Sequence, residues 1–493
     1  MKKSKIAMGV IAVLGAAWLG GTWFTAQKAE TEYHRQIELA NQQFQRAGLS
    51  DSFKVEYKNK QFDRGFFSSQ IEDELILSFA GEEKQWIIPF SSKLYHGPLP
   101  LNQLAKFHLM PAMFALEGAV GKNDTTQPLF DVIKSDKPIQ YQATTGYGLT
   151  TYGTLKVLGG ELVQSGKNKM AWSDVTMDLE VNKDFSGSYS LSADKLISDY
   201  AIGADTGNFD DSNIFESGKI ELKGMKSSSN IAPTKWAYLY TGKGNASIES
   251  MAMTTLHKDG TVSSVVEKGI KGTSEVTLDG DFISVKSTNN MESLLVDDKD
   301  LGKFSYNLEF NHLEANAVNA LFESIVTVFK EKKSGDFMAI NQIIDVWAKQ
   351  HGMTIFNNQP QFKFNPISIS DNQGKVSFDM NIALAKDPKF DLMRGSLYKQ
   401  FTDFSVDIQV DKATAENILT KFAPEEDKAN IKAKIEEMAE EAAGKGIAVN
   451  NEKSVTMKLV LKNGELKLNG QVVPEEQAQG VIFMLLMSAA MAH

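Results

Sequence analysis

The chain of 493 residues contains no cysteine. That excludes disulfides, thiolate nucleophiles, thiolate zinc sites, iron–sulfur clusters and lipid attachment through a terminal cysteine, so folding must rest on burial alone. Histidine is also scarce: His34, His96, His108, His257, His312 and His351 each stand without a second histidine at metal-ligand spacing. There is no G-x-S-x-G and no phosphate-binding glycine loop. Ser192-Ala-Asp-Lys195 matches a Ser-x-x-Lys string, but its companion motifs are missing, and two fixed positions recur by chance in a chain this long. Asp297, Asp298 and Asp300 lack the glycine and terminal glutamate of a calcium loop and read as a solvated acidic turn. No catalytic constellation, metal site or cofactor is expected. A surplus of positive charge is missing too. The net charge of −10 argues against nucleic acid as a partner.

Charge is missing altogether from one stretch, the 21 residues from Ile6 to Ala26. As a helix this run is about 30 Å long, the thickness of a bilayer core. The rival reading is a cleaved export signal, because Lys2, Lys3 and Lys5 form a suitable basic start and Gly20, Gly21, Ala26 and Ala29 offer small residues for cleavage. Retention is favoured by the length of the run and by Trp18, Trp23 and Phe24 near its far end, as in an interfacial aromatic belt. The three lysines then keep residues 1–5 in the cytoplasm, make 6–26 a single-pass anchor and carry the rest outward. Without them the exported part has a formal charge of −10 − 3 = −13.

The exported length exceeds what one core usually serves. Residues 27–50 read as a stalk helix, with Tyr33, Ile37, Ala40 and Phe44 on one stripe. Residues 51–140 form a membrane-proximal α+β region. Alternating strands run over 53–57, 66–79 and 85–95, His96-Gly97-Pro98 with Pro100 closes the meander, and a helix is expected over 101–118, kinked or split at Pro111. Residues 141–300 show short alternating runs at 172–181, 188–193, 218–223, 246–253 and 274–285, which predict a many-stranded antiparallel sheet without interleaved helices.

Residues 302–323 and 402–423 align without a gap, with identities at Phe304/Phe404, Ser305/Ser405, Ala315/Ala415 and Phe322/Phe422. Each copy reads as strand, helix and hairpin, which predicts a duplicated unit over 301–390 and 400–493 with its aromatic rings in equivalent inward positions. Ile367 and Ile369 should face Phe378 and Val376. Asn463-Gly464 should form a type I′ turn that pairs Leu461 with Leu466 and Leu459 with Leu468. A helix over 413–444, interrupted at Pro424, presents Ile431, Ile435, Met438 and Ala442 as one stripe, to be buried against the hairpin face. Pro474 starts a last helix whose segment 481–491 is apolar all round but too short to span. Its Phe483, Leu485 and Leu486 are candidates for apolar contact with lipid or a partner. The 19 methionines fill cores or line an adaptable lipid groove. The fold class is α+β: an N-terminal span, then a large, mainly antiparallel body with long helices on a curved sheet.

The basic start with Gly20-Gly21 and Trp23, the string Phe62-Asp-Arg-Gly-Phe-Phe-Ser-Ser-Gln70, the string Tyr95-His-Gly-Pro-Leu-Pro-Leu101 and the late string Asn463 to Gln471 together resemble the YdgA family of Gram-negative bacteria. The resemblance covers nearly the whole chain and implies an inner-membrane anchor with a periplasmic body. It brings no activity to carry over, so Arg64, Gly65, Phe67, Ser68, Ser69, His96, Gly97, Pro98 and Pro100 are signature residues without an assigned role. A weaker likeness of architecture is to AsmA-like envelope proteins, which are linked to lipid traffic. The expectation is a binding or envelope-maintenance role with lipid or an inner-membrane protein as partner. The alternatives are an envelope hydrolase, which needs a polar cleft joining Arg64 or His96 to carboxylates, and a structural partner of membrane proteins, which needs an exposed apolar patch.

Overall fold

A computed structural model describes residues 22, 24–42, 44, 53–79, 85–163, 168–201, 215–331, 337–388, 397–474 and 477. The expected anchor 6–26 lies outside them except at residues 22 and 24–26, and the apolar end with Phe483, Leu485 and Leu486 lies outside them entirely. Among the described residues no helix is long and apolar enough to cross a membrane.

In chain order the elements are α1 (residues 24–42), β1 (Phe53–Arg64), β2 (Ser68–Phe79), β3 (Trp86–His96), α2 (Leu101–Ala105), β4 (Phe114–Val120), α3 (Gln127–Ile133), β5 (Ile139–Thr145), β6 (Thr151–Val157), β7 (Gly160–Val163), β8 (Lys169–Trp172), β9 (Val175–Val181) and β10 (Gly187–Ala201). They continue with β11 (Phe215–Pro233), β12 (Tyr240–His257), β13 (Val262–Asp279), β14 (Phe282–Met291), β15 (Ser293–Val296), β16 (Lys299–Asp300), β17 (Lys303–Glu314), α4 (Ala315–Glu331), α5 (Phe337–Asn357), β18 (Gln361–Ser370) and β19 (Lys375–Leu384). The last are β20 (Phe401–Asp411), α6 (Lys412–Phe422), α7 (Glu425–Lys428), α8 (Ile431–Gly444), β21 (Val449–Asn450), β22 (Ser454–Lys462), β23 (Glu465–Leu468) and β24 (Gln471–Val472). The fold is α+β and mainly antiparallel.

The chain divides into two compact units, neither of them one continuous stretch. The first takes residues up to Ser198, Met225–Tyr240 and the stretch from Phe322 to Ile340; the second takes Asp199–Gly224, Thr241–Leu321 and the chain from Asn341 onward. In the first, β1, β2, β3, β4, β5, β6, β9 and β10 pair in that order, all antiparallel, and β7 pairs with β8. Helix α1 lays Ala29 and Tyr33 on the sheet against Ile71, Leu94 and Phe114.

In the second, β12, β13, β14, β17, β18, β19, β20, β22, β23 and β24 pair in sequence, with β15 also on β13 and β21 on β22. Tight turns join β12 to β13, β13 to β14, β18 to β19 and β22 to β23, whereas α4 and α5 connect β17 to β18 and α6 to α8 connect β20 to β22. The core of this unit gathers Leu384, Phe401, Phe404, Val406, Leu459, Leu461 and Leu466. The hairpin registers follow the parity of the sequence: Ile367 pairs with Phe378 and Ile369 with Val376. Leu461 pairs with Leu466, Leu459 with Leu468 and Lys462 with Glu465. Both turn residues Asn463 and Gly464 take positive φ, 52° and 80°, as a type I′ turn requires.

Several expectations are corrected. The helix over 101–118 stops at Ala105, and Phe114–Val120 is instead strand β4. Pro111 removes the donor that a continuing helix needs, and the free edge of β3 offers the next residues a full ladder. The run 172–181 is two strands separated at Ser173-Asp174, and 274–285 is split by a turn at Gly280, whose φ is 59°. The helix over 413–444 is three pieces, since Ala423 before Pro424 is extended. Its third piece, α8, contacts α6 and β21; Ile431 and Ala439 are buried, whereas Met438 of the expected stripe is exposed.

The strand-then-helix order does recur, as β17–α4 and β20–α6, but a duplication is not shown by it. Phe404 is buried, Phe304 only partly, and Phe322 and Phe422 are both exposed. Phe422 is the last residue of α6, and its ring carries the Lys299 ammonium 4.9 Å away.

Candidate functional site

The signature residues converge at one end of the first unit, where α1 meets the sheet. Gly65 makes the β1–β2 turn, with its N–H donating to Ser68 O at 3.0 Å; a Cβ there would lie 2.5 Å from the same oxygen, so no larger residue fits unchanged. Past the turn, alternation places Ser69, Ile71 and Asp73 on the face that α1 covers. Strand β3 adds Leu94 and His96 to that face. Ser69 Oγ and His96 Nε2 lie 3.0 Å apart, and His96 N–H donates to Phe67 O at 3.0 Å.

Gly97 N–H then donates to Met113 O at 2.8 Å, and a Cβ on Gly97 would fall 1.8 Å from Ala112 O. Pro98 O accepts from Ala112 N–H at 2.9 Å, the Gly97–Pro98 bond is cis, and the buried Pro100 accepts from Gln103 and Leu104 to open α2. Thr25 of α1 closes the socket by donating its hydroxyl to Gly97 O at 2.5 Å. Arg64 and Glu30 add an ion pair at 3.1 Å, half exposed and worth about 0–1 kcal/mol.

The structure therefore brings Ser69 and His96 together but seals them. His96 is 1% exposed and Ser69 is fully buried, and His96 Nδ1 has no hydrogen-bond partner among the described residues. Burial pushes the imidazole below its ordinary value of 6.5; the Arg64 charge pushes the same way, while the Gly65 backbone and Glu30 oppose. At and above that ordinary value the folded protein holds the ring neutral. A histidine whose folded value is depressed stabilises the fold above its ordinary value and loses that contribution as pH falls below it. We expect acidification below 6.5 to weaken the protein by up to about 1.4 kcal/mol per pH unit through this one group. His96→Gln should flatten that part of the curve in urea titrations between pH 7 and pH 5, and an unchanged slope would refute the assignment.

A second cluster, missed in the sequence, lies along the same strand. Asp73 is 1% exposed, yet its carboxylate accepts from Tyr33 OH, from Tyr57 OH at 2.9 Å and from Asn59 Nδ2 at 2.8 Å. Burial, reinforced by the Asp73 charge, drives both phenols far above their usual range, so they remain donors throughout. Nearby, Ser92 Oγ and Tyr141 OH are 2.5 Å apart, and burial pushes Tyr141 up to about 12. The available signal was parity: an acidic residue at an inward position, between Ile71 and Leu75, must be paired.

Other sequence candidates stay apart. Ser192 and Lys195 are both exposed on β10, where the alternation is interrupted: the N–H groups of Asp194 and Lys195 both donate to Ser173 Oγ, at 3.0 and 2.9 Å. Asp297 accepts from Ser264 N–H of β13 at 2.8 Å, and Asp300 from Gly302 N–H at 2.8 Å and from Ser293 Oγ at 3.1 Å, so these carboxylates are taken up by backbone and hydroxyl donors around the turn. Among the described residues no three His, Asp or Glu side chains are grouped as for a metal ion.

Two openings adjoin on the first unit. A cavity of about 580 Å³ is lined by Lys93, Lys137 and Lys156 with Glu117, Tyr141 and Ser92. Gly118 makes room in it, since a Cβ there would meet the Tyr141 ring at 2.5 Å. Beside it a groove of about 740 Å³ runs between the loop Phe107 to Pro111 and Ala143, Tyr152 and Leu179. The two share Gln142 and Thr154 in their walls. Lys106 sits at the junction, with Nζ 2.8 Å from Glu117 Oε1 and 3.2 Å from Gln142 Oε1. Burial works against ionisation of Glu117, but hydrogen bonds from Lys106 and Asn102 and the charges of Lys106 and Lys93 hold it below the ordinary carboxylate value.

Residues 1–476 match the family described as "Bacterial protein of unknown function (DUF945)". An uncharacterised protein of Haemophilus influenzae is 34% identical over 67% of this chain and 88% of its own length. Protein YdgA of Escherichia coli K12 is 26% identical over 98% of the chain and 97% of that protein, and the uncharacterised protein YihF of the same strain is 21% identical over 96% and 97%. No solved structure matches.

Proposed function

The chain belongs to the DUF945 family, and from that premise we propose that it is a periplasmic protein on a single inner-membrane anchor, whose first unit binds an anionic amphipathic lipid as part of envelope maintenance. The observation that carries this reading is the adjoining pair of openings. A cavity with three lysines and one glutamate in its wall suits a phosphate-bearing headgroup, and the Phe107-to-Pro111 groove beside it suits an acyl chain. The sealing of Ser69 and His96 favours this over the hydrolase reading, because a reacting pair needs access for substrate.

The test is lipid extraction and mass spectrometry of the full chain purified from membranes in mild detergent. Anionic lipid should co-purify, and the triple variant Lys93→Glu, Lys137→Glu, Lys156→Glu should carry at least fivefold less. Glu436→Gln with Glu440→Gln on α8 should carry the wild-type amount. Equal lipid in all three proteins would end the reading. The anchor is checked separately: a reporter fused after His493 should be active only in the periplasm, and the protein should stay with membranes through a high-salt wash. Full-length body in the soluble periplasmic fraction would revive the cleaved signal.

A further inference from the structure

We propose that the end of the first unit that carries the Phe66-Phe67 turn, Leu101 and the Phe107-to-Met110 loop rests on the bilayer surface. Phe107 is 88% and Met110 83% exposed, and Leu109, Leu101, Phe66, Phe67 and Phe24 are exposed as well. Such a concentration of large apolar side chains in water calls for a cover. The loop is held out by its backbone: Phe107 N–H donates to Leu104 O at 3.0 Å, His108 N–H donates to Gln103 O at 2.9 Å, and Phe107 takes a φ of 58°, unfavourable for an aromatic residue.

The position of this patch selects the occupant. The uncharged run from Ile6 to Ala26 ends in the first turns of α1, and there Thr25 is bonded to Gly97 O. Pro98 O in turn holds Ala112 N–H at 2.9 Å, at the root of the loop, and Phe67 O holds His96 N–H at 3.0 Å, at the root of the Phe66-Phe67 turn. All three apolar groups therefore lie at the point where an anchored chain leaves the membrane. Their surroundings have interfacial chemistry: Lys28 Nζ lies 6.0 Å from the Phe24 ring centre, and Arg64 and Lys106 flank the turn and the loop. The inference rests on the anchor reading and does not need the groove to be filled. If the groove is filled, its apolar lip lies in the leaflet from which the ligand comes.

The chain has no cysteine, so one can be added at will. Full-length Met110→Cys, carrying a fluorophore, would be placed in nanodiscs with and without nitroxide-labelled lipid. Lys54→Cys serves as the reference, because it lies ten residues back along β1 from Arg64, or about 33 Å at ~3.3 Å per residue. The Met110 label should lose at least threefold in emission with nitroxide lipid, and the Lys54 label should be unchanged. Equal quenching at the two sites overturns the proposal. So does a Met110 label shielded from aqueous iodide in native membranes but untouched by nitroxide lipid, which would identify a protein partner. A chain that does not stay with the discs overturns the anchor reading along with this one; a chain that stays, unquenched at Met110, overturns this one alone.

Discussion

Replacing Phe404 by alanine should destabilise the second unit by roughly 3–5 kcal/mol, the range for a fully buried aromatic ring. Phe404 is 3% exposed, stands 5.4 Å from the Phe401 ring centre and packs among Leu384, Val406 and Leu461. Phe304, its counterpart in the aligned sequence, is only partly buried, with the Tyr306 ring 5.9 Å away, so Phe304→Ala should cost clearly less. Urea midpoints of the two variants measure the difference. Equal losses would mean that the two rings share one environment, and the case for a duplicated unit would return.

Asp73→Ala should be comparably damaging in the first unit, on the order of 3–5 kcal/mol, since it strips the acceptor from a buried phenol, a partly buried one and an amide at once. Tyr33→Phe removes one donor to a charged group and should cost about 1.5–3 kcal/mol. Because Tyr33 belongs to α1 and Tyr57 to β1, the carboxylate ties the helix to the sheet. Hydrogen exchange should therefore show α1 opening before the strands in either variant. An Asp73→Ala protein with wild-type protection in α1 would remove the network from the account of how that helix is held.

What could be read in advance was whatever parity or local turn chemistry dictates. The Ile367/Phe378 and Leu461/Leu466 pairs follow once the turn is located, because a one-residue slip would turn each apolar face outward. Residues whose fate depends on a distant partner could not be read. Phe114 to Val120 has no strong local preference, and the edge of β3 decides it. Met438 sits on a plausible stripe, but it is exposed while Ala439 beside it is buried. The signature strings were visible, while the socket they build was not, since it needs Thr25 and Met113 to meet Gly97 from remote parts of the chain. The cavity lysines fall on β3, β6 and the approach to β5, with nothing in their spacing to join them.

The interleaving of the two units sets a condition on how the protein comes into being. A chain delivered N-terminus first presents everything up to Ser198, yet the first unit also needs Met225–Tyr240 and the stretch from Phe322. Until those arrive, the first unit lacks the contacts they supply, and contacts so distant in sequence form slowly. With no cysteine there is no covalent staple to hold the intermediate. Truncation at any single point before residue 322 thus leaves both units without part of their chain, and the interval before those segments arrive is when the body most needs shielding from its neighbours.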